Sequence, residues 1–222
     1  FNDVASAGAF IGTLQAGYTD FHYLNPKWKI ACEKDALLGV SMTGIASGTV
    51  EKLDMKEAVK HAKDTNAEIS KQIGIKKAAR VTAVKPAGTT SLVLGTSSGI
   101  HAWHNEHYIR RLRVGKNESI YNFLKIYHPE LIEDEYFRPT EIAVISIPQK
   151  APEGSIYRTE SALDLLERVK RFNVEWVRNG HNSGPNYHNV SATISVDASK
   201  WYYKENGQWT LIGLNAVPNL QN

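Results

Sequence analysis

Residues 80–100 read RVTAVKPAGTTSLVLGTSSGI. The alternation around Val81, Thr82 and Val84 predicts a strand over 80–85. Pro86 then fixes one backbone dihedral, and Gly88 permits a geometry closed to other residues. Thr89, Thr90 and Ser91 follow at once, and a short helix is expected over 91–94. A strand feeding a turn and a helix is the repeating unit of an α/β fold.

Working outward, residues 37–45, LLGVSMTGI, are short, apolar and bounded by glycines, as a buried strand would be. Residues 52–73 predict a helix whose apolar face carries Leu53, Met55, Ala58, Val59, Ala62, Ala67, Ile69 and Ile73, with Gly74 as its stop. At the start, Val4, Ala7, Phe10, Ile11, Leu14, Tyr18 and Phe21 recur at helical spacing over 1–24. Ala5, Ser6, Gly8, Ala9 and Gly12 lie between them and suit close packing against another element. Downstream, 118–132 and 161–178 are expected as helices, the second opened by Ser161 with Asp164 three residues on. EIAVISI (141–147) and VSATISV (190–196) are expected as strands, and Asn206-Gly207 predicts a hairpin over about 200–214. Strands alternating with helices imply an α/β architecture with a mainly parallel sheet. Four major strands are few for a closed barrel, so the sheet is open or part of a larger one.

The 222 residues suffice for one large domain or two small ones, with a sizeable core either way, and none of the sequence is repetitive. A net charge of +3 is too slight to argue for direct nucleic-acid binding. No apolar run approaches the roughly 20 residues of a membrane span, and no signal peptide is visible. The single cysteine, Cys32, excludes an internal disulfide and points to a cytoplasmic location. Since the chain begins at Phe1, it reads as a piece of something longer.

The turn after residue 85 carries the first chemical signal. Amides at the start of a helix point outward unpaired with partial positive charge, which suits phosphate oxygens, and threonine and serine hydroxyls add donors. The same residues also read as an N-capped turn with no ligand. The GK[ST] ending of a Walker loop and the GxGxxG fingerprint are both absent. His101, His104 and His107 stand three apart; convergent, they would bind a metal, and otherwise they are surface or hydrogen-bonded residues. Arg110, Arg111 and Arg113 would meet phosphate or carboxylate, or line a solvated edge strand. Cys32, in a charged setting, reads as an incidental thiol. Residues 181–191, HNSGPNYHNVS, either line a site or join a helix to the sheet.

Residues 85–114, KPAGTTSLVLGTSSGIHAWHNEHYIRRLRV, resemble the C-terminal part of the catalytic chain of the class II, adenosylcobalamin-dependent ribonucleotide reductases. ASAGAFIGTLQAGYTDFHYL (5–24), LLGVSMTGI (37–45) and HNVSATISV (188–196) fall in that family's order and rough spacing, so the resemblance covers nearly the whole chain. It implies that residues 1–222 form the second half of a ten-stranded α/β barrel, incomplete alone. In the family, a thiyl radical on a central cysteine abstracts the 3′ hydrogen of a ribonucleotide and two further cysteines supply electrons. The resemblance places those cysteines upstream of Phe1, so no catalytic residue is expected in this chain. It assigns substrate phosphates, of a ribonucleoside di- or triphosphate, to Pro86, Ala87, Gly88, Thr89, Thr90 and Ser91. Its implied partners are an N-terminal half of the enzyme and a thioredoxin-type reductant, and its implied cofactor is adenosylcobalamin. GLNAVPN (213–219) departs from the Gly-Ile-Ser type of segment, ending in Leu-Pro, expected there. The rival expectations are a catalytically silent nucleotide-binding module of the same fold and an inactive structural fragment.

Overall fold

The computed structural model describes residues 1–50, 52–195, 200–205 and 208–213. Three extended segments form its centre, running parallel in the order 38–41, 80–85, 189–191. Val40 pairs with Thr82 and Val84 with Val190, both parallel. The bonds are Val40 N–H to the Val81 carbonyl at 2.9 Å, Ala83 N–H to Val40 at 3.0 Å and Ser191 N–H to Val84 at 2.8 Å. The expected parallel sheet is therefore present as single bridges, not continuous strands. Side chains replace the missing ladder bonds: Ser41 Oγ accepts from Lys85 N–H at 3.0 Å. The indole Nε1 of Trp176 donates to the carbonyls of both Val40 and Ala83, at 3.2 and 3.1 Å.

Helices pack around this centre. Helix α1 (Asn2–Ala16) lies on α3 (Met55–Gln72), with α2 (Lys27–Asp35) between them in sequence. Only Ala5, Ala9 and Thr13 of α1 are buried. Small side chains let α1 approach closely, and a Cβ on Gly8 would stand 3.2 Å from Val40. The stripe of small residues is thus the packed face, as its composition suggested, and the large apolar stripe beside it is turned outward: Val4 is 71% exposed and Ile11 57%. Size decided the orientation, since a helix can approach the sheet closely only through its smallest residues. Between the two helices, buried Asn66 donates to Thr13 Oγ at 2.9 Å and accepts from Ala78 N–H at 3.0 Å. Helix α2 falls where the sequence suggested only a charged, exposed stretch; it buries no side chain, so its periodicity is faint.

The short helix α4 (Thr89–Val93) follows the turn, two residues earlier than expected. Beyond it, β1 (His107–Gly115), α5 (Ser119–Tyr127), β2 (Ile132–Asp134) and β3 (Ile142–Lys150) form a satellite. Its sheet is antiparallel in the order β1-β3-β2, with Arg110 opposite Ile147. Val114, Tyr121, Ala143 and Ile145 give it a small core separate from the main one. Helix α5 stops at Tyr127, ahead of Pro129, instead of running to 132. Helix α6 (Ala162–Phe172) starts with the expected reciprocal bonds between Ser161 and Asp164, then widens into a π turn over Asn173–Val177. That widening carries Trp176 into the core, where it is 1% exposed. Strands β4 (Lys200–Glu205) and β5 (Gln208–Gly213) pair as the expected hairpin; Asn206, Gly207, Val196 and the 214–219 segment lie outside the described residues. Among the described residues, no helix is long and apolar enough to cross a membrane.

Candidate functional site

The parallel segments end together at their C-terminal edges, the position at which α/β folds bind ligands. From Lys85 the chain turns through Pro86, Ala87 and Gly88. Gly88 has φ 56° and ψ −124°, a conformation that favours glycine, and it opens α4. Its amide donates to Ser98 Oγ at 3.1 Å. The hydroxyl of Ser91, 2% exposed, donates back to the Gly88 carbonyl at 2.6 Å, so it braces the turn. Thr89 and Thr90 are exposed.

The return of the chain from α4 is pinned beneath the turn. Thr43 Oγ donates to the Ser97 carbonyl at 2.8 Å and accepts from Gly99 N–H at 2.9 Å. Ser47 Oγ, 7% exposed, accepts from Ser97 N–H at 3.0 Å and from Trp103 Nε1 at 2.9 Å. A cavity of about 390 Å³ opens above this network. Gly88, Thr89 and Ser91 of the turn line it, together with Ser97, Tyr108 and Arg110; Pro86, Ala87 and Thr90 do not. Among the described residues, no carboxylate lines it. Two polar atoms beside it are buried without a hydrogen-bond partner: Ser97 Oγ, in a residue 3% exposed, and Arg110 Nε.

The arginine group divides by strand alternation. Arg111 pairs with Glu133, and Arg113 Nε lies 3.3 Å from Glu135. The amide of Arg138, together with that of Phe137 and the Arg113 guanidinium, holds the Glu135 carboxyl below its ordinary range. Arg110 faces the cavity instead. The histidines separate as well. His101 Nε2 accepts from Thr193 N–H at 2.8 Å while Nδ1 lies 3.2 Å from the Ser98 carbonyl, a pairing that fits a neutral ring with its proton on Nδ1. His104 is exposed, its ring 5.4 Å from that of Tyr108, and His107 faces Glu106. Among the described residues, no three of His, Cys, Asp or Glu gather as metal ligands. Cys32 sits half-buried on α2.

The 181–191 stretch ties the parallel segments together. Arg80 donates to the Asn186 carbonyl at 2.8 Å, and His188 Nε2 to Leu38 at 2.7 Å. Burial lowers the His188 pKa, with Arg80 and Lys85 adding to the effect. The sequence reading does not single out Ser47, Ser97 or Ser98. The hydroxyl run Thr96-Ser97-Ser98 was the available signal.

No family model matches the chain. A curated relative, a probable adenosylcobalamin-dependent ribonucleoside-triphosphate reductase of Dictyostelium discoideum, is 26% identical over 201 residues, covering 82% of this chain and 24% of the relative. The adenosylcobalamin-dependent ribonucleoside-triphosphate reductase of Euglena gracilis is 29% identical over 174 residues, covering 72% and 22%. A crystal structure of a B12-dependent (class II) ribonucleotide reductase superimposes with a TM-score of 0.58 at 18% identity, over 67% of this chain and 25% of that one.

The chain resembles the class II ribonucleotide reductases.

It spans about a quarter of the length of the reductases it matches. The class II reductase structure shares the fold of two thirds of this chain, whose own architecture is α/β with a small three-stranded antiparallel sheet.

Proposed function

We propose that this chain is the C-terminal part of the catalytic chain of an adenosylcobalamin-dependent ribonucleotide reductase. On this reading residues 1–222 are a half-barrel that holds the substrate phosphates at the turn over Pro86, Ala87, Gly88, Thr89, Thr90 and Ser91. The observation that carries the assignment is the cavity beside Gly88 and Thr89, free of carboxylates among the described residues and bordered by the unpaired Ser97 hydroxyl. Both curated relatives are named as triphosphate reductases, which favours a ribonucleoside triphosphate as substrate.

Reduction of a ribonucleotide requires a hydrogen-abstracting thiyl and a dithiol, and one cysteine cannot supply both. The N-terminal half is therefore proposed to bring the cysteines, with a thioredoxin-type protein as reductant. The large apolar side chains left outward on α1 and α2, among them Val4, Ile11, Trp28 and Ile30, support a covering partner. Exposed apolar surface costs about 25 cal/mol per Å². Bound adenosylcobalamin would supply the radical. The described residues form no cluster of metal ligands, and the cavity beside the turn is of small-ligand size, so no residue here is assigned to the cofactor.

Calorimetric titration of the chain with a ribonucleoside triphosphate tests the phosphate assignment. Thr89→Ala should weaken binding by about 1 kcal/mol or somewhat more, and Gly88→Val should abolish the turn and the binding with it. Unchanged affinity in both variants refutes the assignment. Mixing with candidate N-terminal halves tests the rest: nucleotide reduction supports the split enzyme, while phosphate binding without reduction in any mixture supports the silent module.

A further inference from the structure

Three neighbouring arginines on one edge strand have two different fates. Arg111 and Arg113 are neutralised by Glu133 and Glu135 across the sheet. Arg110 and Tyr108, on the alternate face, border the cavity above α4, and the buried Nε of Arg110 has no protein partner. A guanidinium offers five donors in a fixed fork, suited to two oxygens of one phosphate. Arg110 is the one permanent cation among the described residues lining that cavity, and no carboxylate there competes for it. The turn offers the exposed, neutral hydroxyl of Thr89 from one element, while Arg110 offers a full charge from another. The volume of about 390 Å³ leaves room for several phosphates, at roughly 30 Å³ per displaced water.

We propose that Arg110 is the specificity-determining residue by which this cavity selects a nucleoside triphosphate over the corresponding diphosphate. The inference rests on the phosphate reading of the turn and adds to it: inner phosphates lie on the Gly88–Thr89 side, and the guanidinium takes the terminal one.

The test titrates the chain with a ribonucleoside triphosphate and with its diphosphate. Losing hydrogen bonds between charged groups should make Arg110→Gln bind the triphosphate about 10- to 100-fold more weakly, with the diphosphate changed less than about threefold. Arg110→Lys, which keeps the charge and loses the fork, should fall between. Arg111→Gln should bind both as the parent does. A second measurement needs no variant: inorganic tripolyphosphate should displace bound nucleotide from the parent chain at least about tenfold better than pyrophosphate. Equal weakening of both nucleotides by Arg110→Gln, or of neither, overturns this proposal while the turn assignment stands. So does equal competition by the two polyphosphates. If the parent chain binds no nucleotide at all, the phosphate reading falls and this proposal falls with it.

Discussion

Replacing Gly99 with alanine should loosen the floor under the turn. Gly99 has φ 57°, and a Cβ there would stand 2.7 Å from the Lys85 carbonyl oxygen and 3.3 Å from Pro86 Cα. Neither neighbour can easily retreat, since the Lys85 amide is bonded to Ser41 and the Gly99 amide to Thr43. Gly95 is the matched control: its φ is 64°, and nothing lies within 4 Å of a Cβ built on it. Both alanine variants lose about 1–2 kcal/mol for a left-handed backbone. Gly99→Ala should lose a further 1–3 kcal/mol, roughly, because overpacking forces backbone apart. The expected totals are about 1–2 kcal/mol for Gly95→Ala and about 2–5 kcal/mol for Gly99→Ala. Urea unfolding monitored by circular dichroism measures both, and at this chain length each kcal/mol should lower Tm by about 2–4 °C. Losses equal within about 0.5 kcal/mol would show that close approach to Lys85 does not constrain Gly99, and the reasoning would be wrong.

Ser47→Ala strips an acceptor from two buried donors, Ser97 N–H and Trp103 Nε1, and should destabilise by about 2–4 kcal/mol in the same assay; a loss under about 1 kcal/mol would mean other acceptors take over. Asn66→Ala leaves the buried Ala78 amide unpaired and opens a small void between α1 and α3, for an expected loss of about 2–3 kcal/mol by urea titration, with no loss counting against the bridge. His188 gives a pH dependence of defined sign. Its folded pKa lies below the ordinary value of 6.5, so its contribution is fully present above that pH and falls as pH drops toward the folded value. The urea midpoint should therefore fall between pH 7.5 and 5.5, by less in His188→Gln; an identical fall in both would assign the effect to other groups.

Sequence periodicity located most elements because it tracks local structure. The helix at Met55–Gln72 buries Ala58, Val59 and Ala62, on the face the pattern indicated. At α1 period alone cannot say whether bulk or smallness faces inward, and it was the small residues around Ala5, Gly8 and Ala9 that marked the packed face. The parallel strands were legible in composition but not in their sparse bonding, which depends on Trp176 arriving from a distant π turn. In the site, the turn from Pro86 to Ser91 was legible from proline, glycine and hydroxyls. Its floor was not. Ser47 and Ser97 are 50 positions apart and meet only through tertiary packing. The three arginines looked alike in sequence because their separation depends on which strand face each occupies.

The cavity wall joins two bodies with their own interiors: the turn belongs to the larger one, and Tyr108 and Arg110 to the small antiparallel sheet. Whatever binds across that boundary acts as a cross-brace, and its binding energy is shared by the opening equilibria of both. Amides of β2, at the opposite edge of that sheet, should then exchange with deuterium more slowly when the space is filled, although no residue of β2 lines the cavity among the described residues. Occupancy would thus be readable as rigidity in a sheet from which Tyr108 and Arg110 are the described side chains at the wall.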